Sequence, residues 1–134
     1  MGSVSRLADT FARLRAAGRT GLVTYTTAGD PDLPRSGEIL KALDRAGADV
    51  LEVGVPFSDP LADGPVIQRA TERALAAGGS LRAALALIAE VRPAVSAPIV
   101  VFSYATRFSA SAWSRLPARR RTPGSTGSWR SICR

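Results

Sequence analysis

Apolar side chains first recur at helical spacing in residues 3–17, where Leu7, Phe11 and Leu14 share one stripe. Ser3 or Ser5 can cap this helix, and Gly18 ends it. The period then changes. Residues 21–26, GLVTYT, are β-branched and aromatic and run into Ala28, Gly29, Asp30 and Pro31, the turn formers expected after a strand. Asp32 is placed to cap a second helix with Pro34 in its first turn; Ile39, Leu40, Leu43 and Ala46 form its stripe before Gly47 stops it. Residues 48–55, ADVLEVGV, are apolar almost without a break, as in a parallel strand covered on both faces. A loop of turn formers over 56–65 leads to a helix over 66–77, broken by Gly78 and Gly79. Ser80 then caps a helix over 81–91 that places Leu81, Ala84, Leu85, Leu87 and Ile88 on its apolar side. Residues 97–104, APIVVFSY, predict a third strand. The order αβαβααβ, with crossovers long enough to be helical, implies an α/β fold with a parallel sheet and right-handed connections; a doubly wound sheet and a barrel both satisfy it.

Composition narrows the chemistry. Among 134 residues there is no histidine and one cysteine, so a histidine-based triad, an HExxH zinc site, a cysteine-pair metal site and an internal disulfide are all excluded. Acid–base work falls to carboxylates, the lysine or tyrosines. No run approaches the roughly 20 apolar residues that span a bilayer; the longest is over 94–104. Residues 1–17 lack the apolar centre of a secretion signal, so a cytoplasmic location is expected.

The formal net charge of +7 invites a nucleic-acid reading until it is located. Residues 1–105 balance 11 basic against 11 acidic side chains; the excess is seven arginines in 106–134, a segment with no acid, both tryptophans and the only cysteine. Arg119, Arg120 and Arg121 form a charge run, and residues 123–128 are linker-like. Two regions are therefore expected: a folded body over 1–105 and an irregular Arg- and Ser-rich tail over 106–134. So abrupt a shift to Arg, Ser, Trp and Pro is what a GC-rich message read in a shifted frame produces. A basic tail that binds polyanions, with Trp113 and Trp129 available for stacking, is the weaker alternative.

Glu52 interrupts an otherwise apolar strand, where an unpaired carboxylate is costly to bury. Asp63 follows eleven residues later, in the loop beyond the same strand. Sites in parallel sheets and barrels lie at the carboxyl ends of the strands, which is where these two acids fall, and two carboxylates there can divide acid and base roles. The alternative is structural: Glu52 paired with a basic residue or a backbone amide, and Asp59 and Asp63 capping the loop.

The run 51–65, LEVGVPFSDPLADGP, resembles the signature of the tryptophan synthase α chain. Thr27-Ala28-Gly29-Asp30-Pro31, Ala46-Gly47-Ala48-Asp49 and Gln68-Arg69-Ala70 match at fitting spacing on either side. The resemblance implies a (β/α)8 barrel lyase that cleaves indole-3-glycerol phosphate to indole and glyceraldehyde 3-phosphate in tryptophan biosynthesis, without a cofactor, in partnership with a β chain. It assigns Glu52 to protonation of the indole ring carbon and Asp63 to the ring nitrogen. Tyr25 and Tyr104 fall at positions lining the indole pocket, and Pro56, Phe57, Ser58, Asp59, Pro60 and Leu61 at the surface that meets the β chain. It extends over residues 5–105 and stops where the family continues with an Asn-Pro dipeptide. Three strands of eight are then an incomplete barrel, without the phosphate-binding loops usual after strands seven and eight and with no P-loop pattern to replace them. Impaired turnover, or a fragment that docks on a β chain without catalysis, is the consequence expected.

Overall fold

The computed structural model of the protein describes residues 5–104. The expected tail over 106–134, and Ser3, lie outside the described residues. The elements are α1 (Arg6–Ala16), β1 (Val23–Thr27), α2 (Leu33–Arg45), β2 (Val50–Gly54), α3 (Pro65–Ala76), α4 (Leu81–Val91), a 3-10 turn (Arg92–Ala94) and β3 (Ile99–Phe102). Side-chain caps start three of the helices: Ser5, Asp32 and Ser80 accept from the amides of Ala8, Arg35 and Ala83. Helix α3 instead begins on Gly64 with Pro65 in its first turn and has no side-chain cap.

The strands are shorter than their sequence patterns because their ends are used for other bonds. The Asp49 and Val50 amides both donate to the Leu22 carbonyl, and the Asp49 carboxylate accepts from the Leu22 amide at 2.9 Å, which stitches the start of β2 to the chain ahead of β1. Before β3, Asp44 at the end of α2 accepts from the amides of Ser96 and Ala97 at 3.1 and 2.8 Å and from the Ser96 hydroxyl at 3.1 Å. Burial pushes this carboxyl up, but the two amides and the hydroxyl outweigh it and hold it below the usual carboxylate range.

The sheet is parallel in the order β1-β2-β3. Its register sets Tyr25 beside Glu52 beside Val100, and two residues on, Thr27 beside Gly54 beside Phe102. Alternation puts Leu51 and Val53 on the opposite face, where both are completely buried against Leu40 of α2 and Ala84, Leu87 and Val91 of α4. The Tyr25 and Glu52 face is far less covered: Phe102 keeps 42% of its surface exposed and Val23 keeps 49%. With α2 and α4 on one face only, the architecture is an incomplete (β/α) barrel segment, not a doubly wound sheet. Among the described residues, no single helix is long and apolar enough to cross a membrane.

Candidate functional site

Glu52 stands in the middle of β2 on the uncovered, inner face and is half-buried. Among the described residues, no hydrogen bond or ion pair engages its carboxylate. The structural alternative of a basic or amide partner is therefore not what the fold builds there.

Asp63 lies in the loop beyond the carboxyl end of β2, and its carboxylate accepts the Tyr104 hydroxyl proton at 3.0 Å. The same Tyr104 oxygen accepts from the Ala62 amide at 3.1 Å, so one phenol clasps two neighbouring loop residues. Asp63 does not cap α3. The loop is held by Gln68, whose amide donates to the carbonyls of Asp63 and Pro60 at 2.9 and 3.3 Å. The Phe57 ring stacks on Tyr104 with centroids 4.9 Å apart and planes 19° apart.

Tyr25 reaches from β1 across β2. A Cβ on Gly54 would stand 1.9 Å from the phenol oxygen, so the hydroxyl rests on bare backbone. Phe102 meets the Tyr25 ring edge to face at 6.3 Å and 79°. Burial raises the Tyr25 phenol above its ordinary range; a hydrogen bond with Thr27 opposes this, and the charges of Asp63 and Glu52 reinforce it. Tyr104 is raised by burial too, against the Ala62 amide and with help from its bond to Asp63. Both phenols are thus neutral hydrogen-bond donors at neutral pH. The fold brings Glu52, Asp63, Tyr25 and Tyr104 into one electrostatic neighbourhood at the carboxyl ends of the strands.

The proposed partner patch is only partly a surface. Phe57, Ser58, Asp59, Pro60 and Leu61 line a groove of about 240 Å³ against α3, and Leu61 is 83% exposed. Pro56 is fully buried, which corrects its expected place in that patch. Its ring packs where Gly79 offers no side chain: a Cβ there would stand 2.9 Å from the Pro56 Cγ. A second cavity, of about 230 Å³, opens between β1, α2 and α3 with Tyr25, Thr27, Ile39, Val66 and Ile67 among its walls.

Two features escaped the sequence reading. Gly54 had a signal, since a glycine inside an apolar strand marks a close approach. The bidentate pair of Arg73 with Asp30, at 2.8 and 2.9 Å, which ties α3 to the loop after β1, had none. Among the described residues, no three carboxylate or thiol side chains come together as a metal site would need.

Three parallel strands with helices packed on one face are a segment of the (β/α) barrel class, with Glu52 and Asp63 toward the carboxyl ends of its strands. The chain belongs to the tryptophan synthase alpha chain family, whose profile matches residues 11–126. Over 101 residues it is 55% identical to the tryptophan synthase alpha chain of Synechococcus elongatus and 56% identical to that of Carboxydothermus hydrogenoformans. Each match covers 75% of this chain and 38% of the relative. The Arabidopsis thaliana alpha chain is 49% identical over 98 residues. Among solved structures, tryptophan synthase from M. tuberculosis superimposes with a TM-score of 0.74 at 41% identity, over 84% of this chain and 46% of that one. The alpha subunit from Legionella pneumophila gives 0.75 at 39% identity, over 78% and 40%. The chain thus spans less than half the length of these relatives.

Proposed function

We propose that this chain carries the catalytic acids of a lyase that cleaves indole-3-glycerol phosphate to indole and glyceraldehyde 3-phosphate. Breaking the bond between the indole ring and the glycerol chain requires the ring to become a leaving group. A proton is delivered to the ring carbon that bears the chain while the ring N–H gives up its proton to an acceptor. The glycerol chain's adjacent hydroxyl then gives its proton to the carboxylate left on the donor as the carbon–carbon bond breaks, its oxygen becoming the aldehyde; the bonding electrons pass into the ring, and the nitrogen takes its proton back from the acceptor to give indole. Glu52 is the proton donor at carbon and Asp63 the acceptor at nitrogen. Tyr25 and Tyr104 line the ring pocket, with the Tyr104 hydroxyl aiming the Asp63 carboxylate. Work takes place in the cytoplasm, with a β chain bound through Phe57, Ser58, Asp59, Pro60 and Leu61.

The observation that carries this reading is the unpartnered Glu52 carboxylate on the inner face, in the same cluster as a hydrogen-bonded Asp63. The test is indole release from indole-3-glycerol phosphate, with and without added β chain. Release that falls at least about a hundredfold in Glu52→Gln supports the reading; release unchanged by that substitution overturns it.

The groove beside Leu61 favours a second reading, docking on a β chain without turnover. Binding of the β chain weakened by Leu61→Asp, with no indole formed under either condition, selects it.

A further inference from the structure

We propose that Gln68 is a positioning residue for Asp63: its side-chain amide, reaching back from α3, fixes the turn that carries that carboxylate. This rests on the reading of Asp63 as the acceptor at the ring nitrogen.

Helix α3 begins on Gly64 without a side-chain cap, and Gln68 is its fourth residue. Helical side chains lean toward the N-terminus of their own helix, so Gln68 lies over the turn ahead of α3. Its main-chain amide donates to the Gly64 carbonyl at 3.0 Å, which fixes the base of the side chain to the helix start. The side-chain nitrogen then serves two carbonyls, that of Asp63 at 2.9 Å and that of Pro60 at 3.3 Å. A carboxamide nitrogen carries two protons, so both bonds form at once. Pro60 and Asp63 are the ends of one tight turn, closed by the Asp63 amide donating to the Pro60 carbonyl at 3.1 Å.

Asp63 is thereby held at three points. Pro60 takes its amide, Gln68 binds its carbonyl, and the Tyr104 hydroxyl meets its carboxylate at 3.0 Å. The first two bonds set where the main chain of Asp63 stands; the third sets where its carboxylate points. Gly64 follows directly, and a Cβ there would meet nothing within 4 Å, so packing does not fix the peptide that joins the two residues. The bond from Gln68 does.

The chain has two tyrosines, so labelling the ring ζ carbon of tyrosine with carbon-13 gives two signals, and Tyr25→Phe assigns them. The Tyr104 signal reports ionisation of the phenol that bonds Asp63. Removing that charge, in Asp63→Asn, is expected to weaken the phenol's hold on its proton about threefold. Asp59, the other acid facing Tyr104, is present in every protein compared. Gln68→Met keeps the length of the side chain and removes both donors; in that background Asp63→Asn is expected to change the hold by less than about 1.5-fold. Gln68→Asn draws the same amide back by one carbon–carbon bond, roughly 1.5 Å, and is expected to uncouple the pair as well. A side chain that only stabilised α3 would lower the urea midpoint and leave the coupling whole. In the lyase assay, Gln68→Met should lower kcat about tenfold and leave KM nearly unchanged. Tyr104 coupled to Asp63 as strongly in both Gln68 variants as in wild type overturns the proposal. Loss of coupling in a protein that releases no indole supports the positioning and counts against the lyase reading alone. Release that falls in Asp63→Asn and not in Gln68→Met counts against Gln68 alone.

Discussion

Gly54→Ala is the sharpest perturbation of the inner face, because it adds one methyl group at a known place. The new carbon would lie 1.9 Å from the Tyr25 phenol oxygen, 2.5 Å from Cζ and 3.0 Å from Cε2, so three atoms of a half-buried ring must move. Overpacking of this kind costs about 1–3 kcal/mol. Alanine returns about 0.5–1 kcal/mol by restricting the unfolded chain, and Gly54 needs no left-handed backbone that alanine would resist. The net expected loss is about 1–2 kcal/mol, or roughly 5–10 °C in Tm for a body of this size. Urea unfolding of four proteins measures it: wild type, Gly54→Ala, Tyr25→Ala and the double variant. With the ring removed, the methyl group has nothing to displace. Gly54→Ala is then expected to be neutral or slightly stabilising, a coupling of about 1–3 kcal/mol between the two sites. Equal cost of Gly54→Ala in both backgrounds would refute the packing of Tyr25 on β2.

Leu51→Ala is expected to cost about 3 kcal/mol in urea unfolding and Val100→Ala under about 1 kcal/mol, because only the former faces the buried helices. Asp44→Ala removes the acceptor for two amides and a hydroxyl and is expected to cost about 2 kcal/mol at pH 7. Since folding lowers the Asp44 pKa, its contribution is present above the ordinary carboxylate range and is lost as pH falls through the depressed value. The gap between wild type and Asp44→Ala should therefore narrow on acidification below about pH 4. Tyr104→Phe should cost about 1 kcal/mol by freeing the Ala62 amide and the Asp63 carboxylate. Folding raises the Tyr104 pKa, so that stabilisation is present through neutral pH and disappears as pH rises through the elevated value, which phenolate absorbance follows.

Much of this fold is legible in local pattern. Ser5, Asp32 and Ser80 are read as caps because a short polar side chain before an apolar stripe has one efficient use, and each makes that bond. The apolar run around Leu51 and Val53 announces a buried parallel strand. It does not announce which face the helices take, so barrel and doubly wound sheet stay equivalent until α2 and α4 are seen together. Glu52 is legible because a charge breaks that run, and Asp63 because it follows at the rim. The contact of Tyr25 with Gly54 is not, since it depends on the register between two strands whose paired residues are 27 positions apart in sequence and on a side chain that is missing. Pro56 misleads for a related reason. Proline in a turn-rich loop reads as surface, yet the absent side chain at Gly79 leaves room for it to be buried.

The central claim is that the Glu52 carboxylate is kept for chemistry and holds nothing together. Urea unfolding of Glu52→Gln against wild type at pH 7 tests this without requiring turnover. A half-buried carboxyl group with no partner contributes no stability, so the isosteric amide is expected to fold as well as wild type or better, by up to about 1 kcal/mol. A loss of about 2 kcal/mol or more would show that the carboxylate is anchoring the fold, and would contradict the account.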